Sequence, residues 1–185
     1  MKKKFKITDY SPEWKTMYLA EKKELLKIFS KLLHSIHHIG STAIATTKAK
    51  PEIDMLIVLK DVSNLASYDT AIEALGYRVR GECLENGGTK GRYYYSKDIN
   101  HVRTHKLHIC ELGHSEIMAK LLFVKYLNEH EASAKQYATL KEKLSQSYNY
   151  GHCIEKYLVG KSDFIMDIIA KAEQKYKDVS YESFC

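Results

Sequence analysis

Cysteine, proline and long apolar runs are all scarce in this 185-residue chain, and each scarcity removes a class of protein. The four cysteines, Cys83, Cys110, Cys153 and Cys185, form no CxxC pair and are too sparse for a disulfide scaffold, so a reduced chain is expected. The basic start MKKKFKITDY has no apolar segment behind it and is not expected to act as a signal peptide. No run approaches the length of a membrane-spanning helix, and a cytoplasmic location with no membrane partner follows as an expectation. There are only two prolines and no low-complexity tract, which leaves an ordinary globular composition. The net charge of +6 suits a phosphate-bearing ligand or RNA, but it suits plain solubility equally and decides nothing.

What is present reads as one α+β domain over residues 1–185, with an ordered core of about 8–176. Ser11-Pro12-Glu13-Trp14 has helix-start chemistry, with Ser11 as the cap. Behind it Trp14, Tyr18, Leu25, Ile28 and Leu32 recur at helical spacing. Ser35–Ile39, Glu52–Leu59, Tyr77–Arg80, Gly91–Ser96 and His105–Cys110 read as strands. A helix over Asp69–Leu75 stops at Gly76, and ECLENGGTK reads as a flexible turn. From Ile117 onward the pattern is helical: Ile117, Leu121, Val124 and Leu127/Asn128, then Tyr137, Leu140 and Leu144, then a helix capped by Ser162 that turns Ile165, Ile168, Ile169 and Ala172 inward. The residues from Lys177 on should be loosely held. The sum is a small mixed sheet flanked by helices, with a helical C-terminal third.

Within HHIGSTAIATTKAKPEIDMLIVL, two acids stand at alternate positions of an otherwise apolar strand. Residues two apart on a strand share a face, so Glu52 and Asp54 project together while Ile53 and Met55 face the other way. Paired carboxylates repel unless something positive sits between them, and Mg²⁺, which takes hard oxygen ligands, is one answer. The plainer alternative puts Glu52 at a solvated strand start and pairs Asp54 with a lysine. Upstream, Gly40 permits close backbone approach, and Ser41, opening a short helix with Thr42-Ala43, offers a hydroxyl and N–H groups to a phosphate. Glu52 lies 11 residues beyond Ser41 (52 − 41) and Asp54 lies 13 beyond it (54 − 41).

A GS turn followed by an acid-x-acid strand resembles the signature of the nucleotidyltransferase superfamily, the fold of DNA polymerase beta and the aminoglycoside-modifying nucleotidyltransferases. The ordered blocks YSPEW, HIGSTA, AKPEIDMLI, GYRVRGE, GRYYYSK, RTHKLHICE, LLFVKYLNEH, YATLKEKL and GKSDFI more closely resemble the GrpB family, from about Tyr10 to about Ala172. The resemblance implies a nucleotidyltransferase-like fold, Gly40 and Ser41 as the phosphate side and Asp54 as a metal ligand. It departs from the family at Ala45-Thr46, where a Pro-Gly pair is common, and at Leu56, where many members carry a second acid. Glu52 could supply that partner from the other side. Catalysis would then use Mg²⁺, as two ions, on a nucleoside triphosphate, with the nucleotidyl group passing to an acceptor that the sequence does not identify. Glu82 and Glu111 are candidates for a third acid, although each also reads as an ordinary exposed glutamate.

His105 and His108 lie three apart and face opposite sides of a strand. His108 is read as orienting a phosphate or assisting proton transfer, or as a histidine simply bonded within the sheet. Lys50, Arg92 and Arg103 are candidate triphosphate contacts or solvated charges. Tyr93, Tyr94 and Tyr95 alternate faces, which disfavours a stacking platform for RNA. The lysines of KEKLSQSY read as a solvated helix face. Two alternatives stand beside the enzyme: a non-catalytic nucleotide-binding or interaction module of the same fold, and an RNA-binding protein.

Overall fold

Trp14, Tyr18, Glu21, Leu25 and Phe29 recur every three or four residues, and this buried stripe winds the first helix, α1 (Glu13–Phe29). The computed structural model describes residues 6–82, 84, 89–148 and 154–185. Most of the ECLENGGTK turn, with Cys83 and Cys153, lies outside the described residues. The step of four from Leu25 lands on Phe29, so Phe29 completes the stripe; Ile28 is only half-buried and Leu32 lies beyond the helix. Pro12, not Ser11, occupies the cap position, in helical conformation and without a side-chain capping bond.

The backbone groups into two units, one formed by Pro12–Gly40 and Glu52–Ile117, the other by the N-terminal residues as far as Ser11 with Ser41–Pro51 and Met118–Cys185. The first unit holds a five-stranded sheet of β1 (Leu33–Ile39), β2 (Ile53–Leu59), β3 (Tyr77–Gly81), β4 (Arg92–Ile99) and β5 (Val102–Glu111). Their order is β1-β2-β5-β4-β3, and only β2 and β5 run parallel. A short helix, α2 (Asp69–Ala74), precedes β3 and ends before Gly76, whose φ of +90° favours glycine.

The ladders sort side chains onto two faces. Ile53, Met55 and Ile57 share one with His105, Leu107 and Ile109, and Tyr95 and Lys97 join them from β4. All three β2 residues and Leu107 and Ile109 are fully buried there. On this side Tyr18 of α1 donates to the Ile36 carbonyl at 2.9 Å, and Lys97 donates to both Glu21 oxygens at 3.0 Å. Asp54, Lys106, His108 and Tyr94 therefore belong to the opposite face.

The second unit carries α3 (Glu116–Glu129, from Met118 on), α4 (Glu131–Tyr148), α5 (Ile154–Val159) and α6 (Ser162–Lys175). Ile44, Phe123, Leu127, Ala134, Tyr137 and Ile168 make its principal core, with Ile165 and Ile169 packed against it. Lys161 stands at the cap of α6; Ser162 is the first helical residue, and its hydroxyl donates back to the Leu158 carbonyl. The chain beyond Lys177 is better held than its position suggested, since Val179 and Phe184 pack on Leu122, Ala172 and Tyr176. Lys141 also departs from the solvated face expected of KEKLSQSY. It is buried, donates to the Lys48 carbonyl and lies 4.2 Å over the Tyr137 ring.

Candidate functional site

The site is built on the sheet face that carries Asp54, beginning with the two acids at the start of β2. Glu52 immediately precedes the strand and Asp54 is its second residue. Their side chains keep 18% and 23% exposure, while Ile53 and Met55 between and beyond them keep none. Alternation in the sequence thus becomes a pair of accessible carboxylates on one face.

A lysine answers their repulsion. The parallel ladder sets Lys106 of β5 directly beside Asp54, and its ammonium lies 2.6 Å from Glu52 Oε2 and 3.9 Å from Asp54 Oδ1. Burial alone would lower the pKa of Lys106, but the Asp54 and Glu52 carboxylates outweigh it and hold the ammonium above its ordinary range. The neighbouring strand thus sets a cation, not a third acid, beside Asp54. Sequence reading missed Lys106. The alternating pattern of HKLHIC does give it His108's face, but only the register between strands some fifty residues apart brings it to Asp54.

Further along β5, His108 connects Asp54 to β4. Its Nε2 is 3.7 Å from Asp54 Oδ1, and its Nδ1 is 3.3 Å from Nη1 of Arg92. A guanidinium can only donate, so Nδ1 accepts and the proton of the neutral ring sits on Nε2, toward Asp54. Arg92 is itself held by Glu116 at 3.1 Å. Tyr94 lies against the imidazole at 5.6 Å between ring centres, and its hydroxyl accepts from Arg103 at 3.0 Å. Arg103 also pairs with Asp98; that bond holds the Asp98 carboxyl low and raises Arg103 against the effect of burial. On the other face His105 sits near Glu21, as the three-residue spacing from His108 requires.

Gly40 closes the site from the end of β1. Its φ is +70°, and a Cβ added there would stand 2.5 Å from Asp54 Oδ2. The Asp54 carboxylate therefore occupies space that only glycine leaves open. Glycine's part here is steric as well as conformational.

The remaining expected residues stand elsewhere. Ser41 opens a short 3₁₀ turn, Ser41–Ala43, and its hydroxyl is 3.4 Å from the Tyr137 hydroxyl within the second unit. In that unit Asn128 holds the following loop, accepting from Ala45 N at 3.1 Å and donating to the Ala43 carbonyl at 3.0 Å. This clamp was hidden in an apparent core stripe. Lys50 lies 4.6 Å over the Tyr157 ring. Glu82 accepts from Gly91 N at 2.6 Å and Glu111 from Val62 N at 3.3 Å, so both glutamates brace turns. Among the described residues no three His, Cys, Asp or Glu side chains form a metal-ligand group. Asp54, partly exposed, is a hard oxygen donor of the kind a Mg²⁺ ion takes beside water and phosphate oxygen.

Comparison with known proteins places this geometry. The model of the family described as GrpB protein matches residues 4–171. UPF0157 protein YqkA of Bacillus subtilis is 38% identical over 164 residues, which cover 89% of this chain and 46% of YqkA. The chain thus spans less than half the length of that relative. The crystal structure of the conserved protein GrpB from Enterococcus faecalis superposes with a TM-score of 0.85 at 34% identity, covering 92% of this chain and 99% of the other. A structure of Cid1, a protein described as having RNA terminal uridylyl transferase activity, superposes with a TM-score of 0.51 at 11% identity over 73% of this chain and 41% of Cid1. That likeness shows a nucleotidyltransferase-like fold and no more.

Proposed function

The chain belongs to the GrpB family, and from that premise we propose that it binds a nucleoside triphosphate with Mg²⁺ and passes the nucleotidyl group to an acceptor. The observation that carries this reading is the seat of Asp54, a carboxylate lodged where Gly40 alone leaves room, on the strand that carries the acid motif. Gly40, lacking a Cβ, leaves that carboxylate its room at the end of β1. The resemblance gives Ser41, the next residue of the chain, the phosphate side of the same motif. Lys106 places a positive charge on the face where anionic oxygens would arrive, and His108 presents an Nε2–H toward Asp54. Arg92 and Arg103, oriented by Glu116 and Asp98, flank the row as guanidinium contacts for phosphate. When bound, Mg²⁺ would spread charge away from the α-phosphate and lower the pKa of the attacking hydroxyl.

Glu52→Ala combined with Asp54→Ala tests this directly. Calorimetry should show Mg²⁺-dependent triphosphate binding by the parent chain and none by the folded double variant. Unchanged binding would remove the site. One observation favours a second reading, binding without transfer: the neighbouring strand offers Lys106 where a further carboxylate would serve catalysis. Release of pyrophosphate on adding candidate acceptors separates the two, and transfer requires it. An RNA surface, by contrast, would show an affinity for single strands that falls steeply with salt.

A further inference from the structure

We propose that Arg78 and Arg80 of β3, together with Arg103 of β5, form a second anion subsite on this sheet face, which takes a phosphate group carried by the acceptor. Only the acceptor's part rests on the reading above; the subsite is testable without Mg²⁺ or a triphosphate.

The ladders lay one row of side chains across four strands. Asp54 of β2 pairs with Lys106 of β5, Lys106 with Ser96 of β4, and Ser96 with Arg78 of β3. Directly paired residues share a face, so Arg78 stands on the face of the acids, three strand spacings or about 14 Å from Asp54. The register shifts between Val79 and Gly81, which makes Arg80 the extra residue of a bulge, a device that re-aims a side chain. Arg80 Nε donates to Ser96 Oγ at 3.0 Å, and that buried serine anchors the arginine on the same face. Both β3 arginines are exposed.

Asp98 and Arg103 join this edge to the acids. The Arg103 bond, and then the charges of Arg103, Arg78 and Arg80, hold the Asp98 carboxyl low against the effect of burial. Three guanidinium groups thus act on that one carboxylate and outnumber it. Burial lowers Arg103, and the groups that raise it, led by Asp98, include Glu52. Charge therefore runs continuously from the start of β2 to the β3 edge. Guanidinium groups grip phosphate through parallel N–H bonds. Tyr94, the β4 tyrosine of this face, lies against His108, while Tyr93 and Tyr95 face away, so the phosphate and not a base is the group recognised.

Inorganic phosphate and a short 5′-phosphorylated single strand serve as probes, titrated by calorimetry at low salt without Mg²⁺. The parent chain should bind, and Arg78→Gln with Arg80→Gln should weaken binding about tenfold or more. For the strand, the slope of log affinity against log salt should flatten by about 0.7 for each arginine lost. Lys135→Gln with Lys171→Gln removes the same charge from exposed helix faces of the second unit and should leave affinity unchanged. Equal affinity for the two probes identifies a small phosphorylated molecule, and tighter binding of the strand identifies a polynucleotide. Failure of both probes, or an equal loss in the lysine variant, would overturn the subsite. So would self-association of the arginine variant with unchanged phosphate affinity, which would make the arginines mere guards of an edge strand. If the double arginine variant does not fold, Arg78→Gln alone decides, an unchanged affinity counting against the subsite. Glu52→Ala with Asp54→Ala should keep phosphate binding. Arginine-dependent phosphate binding by a chain that binds no triphosphate would support the subsite and remove the transfer reading. Triphosphate binding beside a phosphate affinity indifferent to the arginines would do the reverse.

Discussion

At the scale of single residues, Gly40 carries two constraints that can be measured apart. Its φ of +70° is unfavourable to any residue with a Cβ, and the added atom would meet Asp54 Oδ2 at 2.5 Å, Cβ at 3.0 Å and Cγ at 3.1 Å. Gly40→Ala should therefore destabilise by about 2 kcal/mol, from backbone strain and steric conflict together. Asp54→Ala removes Oδ2 and Cγ but leaves its own Cβ and the turn unchanged. In the double variant the steric part should lessen while the strain persists, which gives a coupling of roughly 1 kcal/mol between the sites. Urea unfolding of the parent, the two single variants and the double measures it. Strict additivity would mean that Gly40 and Asp54 do not constrain one another, and the site would lose its central restraint.

Among the elements, the β4–β5 hairpin offers the sharpest test because its turn uses an uncommon residue. Ile99 pairs with Val102, so the loop is just Asn100-His101, with φ of 48° and 62°. Two positive φ values in a two-residue loop are what a type I′ turn demands, and glycine is preferred at the second. His101→Gly creates the favoured Asn-Gly pair and should stabilise by up to about 1 kcal/mol, less whatever the extra freedom of glycine costs in the unfolded chain. Chemical denaturation should move to higher denaturant with an unchanged slope; a lower midpoint would show that His101 contributes a contact worth more than its backbone strain. This hairpin also marks where the sequence ceased to be legible. Both strands were visible as alternating runs, but Asn-His is a weak turn signal, so the strands were read short and their connection was missed. The acids of β2 were legible because Ile53 and Met55 separate them by face. Lys106 was not, because its role depends on a parallel register with a strand distant in sequence, and no local pattern encodes that. Lys141 failed for a related reason: the run KEKL looks solvated, and only the Lys48 carbonyl and the Tyr137 ring explain its burial.

For the molecule as a whole, buried and paired ionisable groups set how stability varies with pH. Burial, with the nearby Lys161 charge, brings Lys141 down to about 7. His37 and His38 are each lowered to about 4, chiefly by burial; Lys22 and His34 add to the effect at His37, and Asp54 opposes it at His38. A basic group lowered on folding binds its proton more readily when unfolded, so stability rises with pH between the folded and unfolded values. The histidines act between about pH 4 and 6.5, and Lys141 acts from about pH 7 toward the ordinary lysine value near 10. The Asp98 carboxyl, lowered by its bond to Arg103, adds in the same direction at acid pH. Stability should consequently keep climbing past neutrality, toward the alkaline side of the usual optimum, before the buried tyrosines reverse it. Tyr18, raised to about 12 by burial, is protonated more readily in the folded chain, so its contribution is lost at high pH. Lys141→Met isolates the central limb: it keeps a buried stem and removes the titrating group. Between pH 7 and 9 the parent should gain up to roughly 1.4 kcal/mol per pH unit from this one proton, whereas the variant should lose that gain and be at least as stable at pH 7. Equal slopes for the two proteins, measured by denaturant unfolding across that range, would show that Lys141 keeps its charge when buried, held by the carbonyl and the aromatic face.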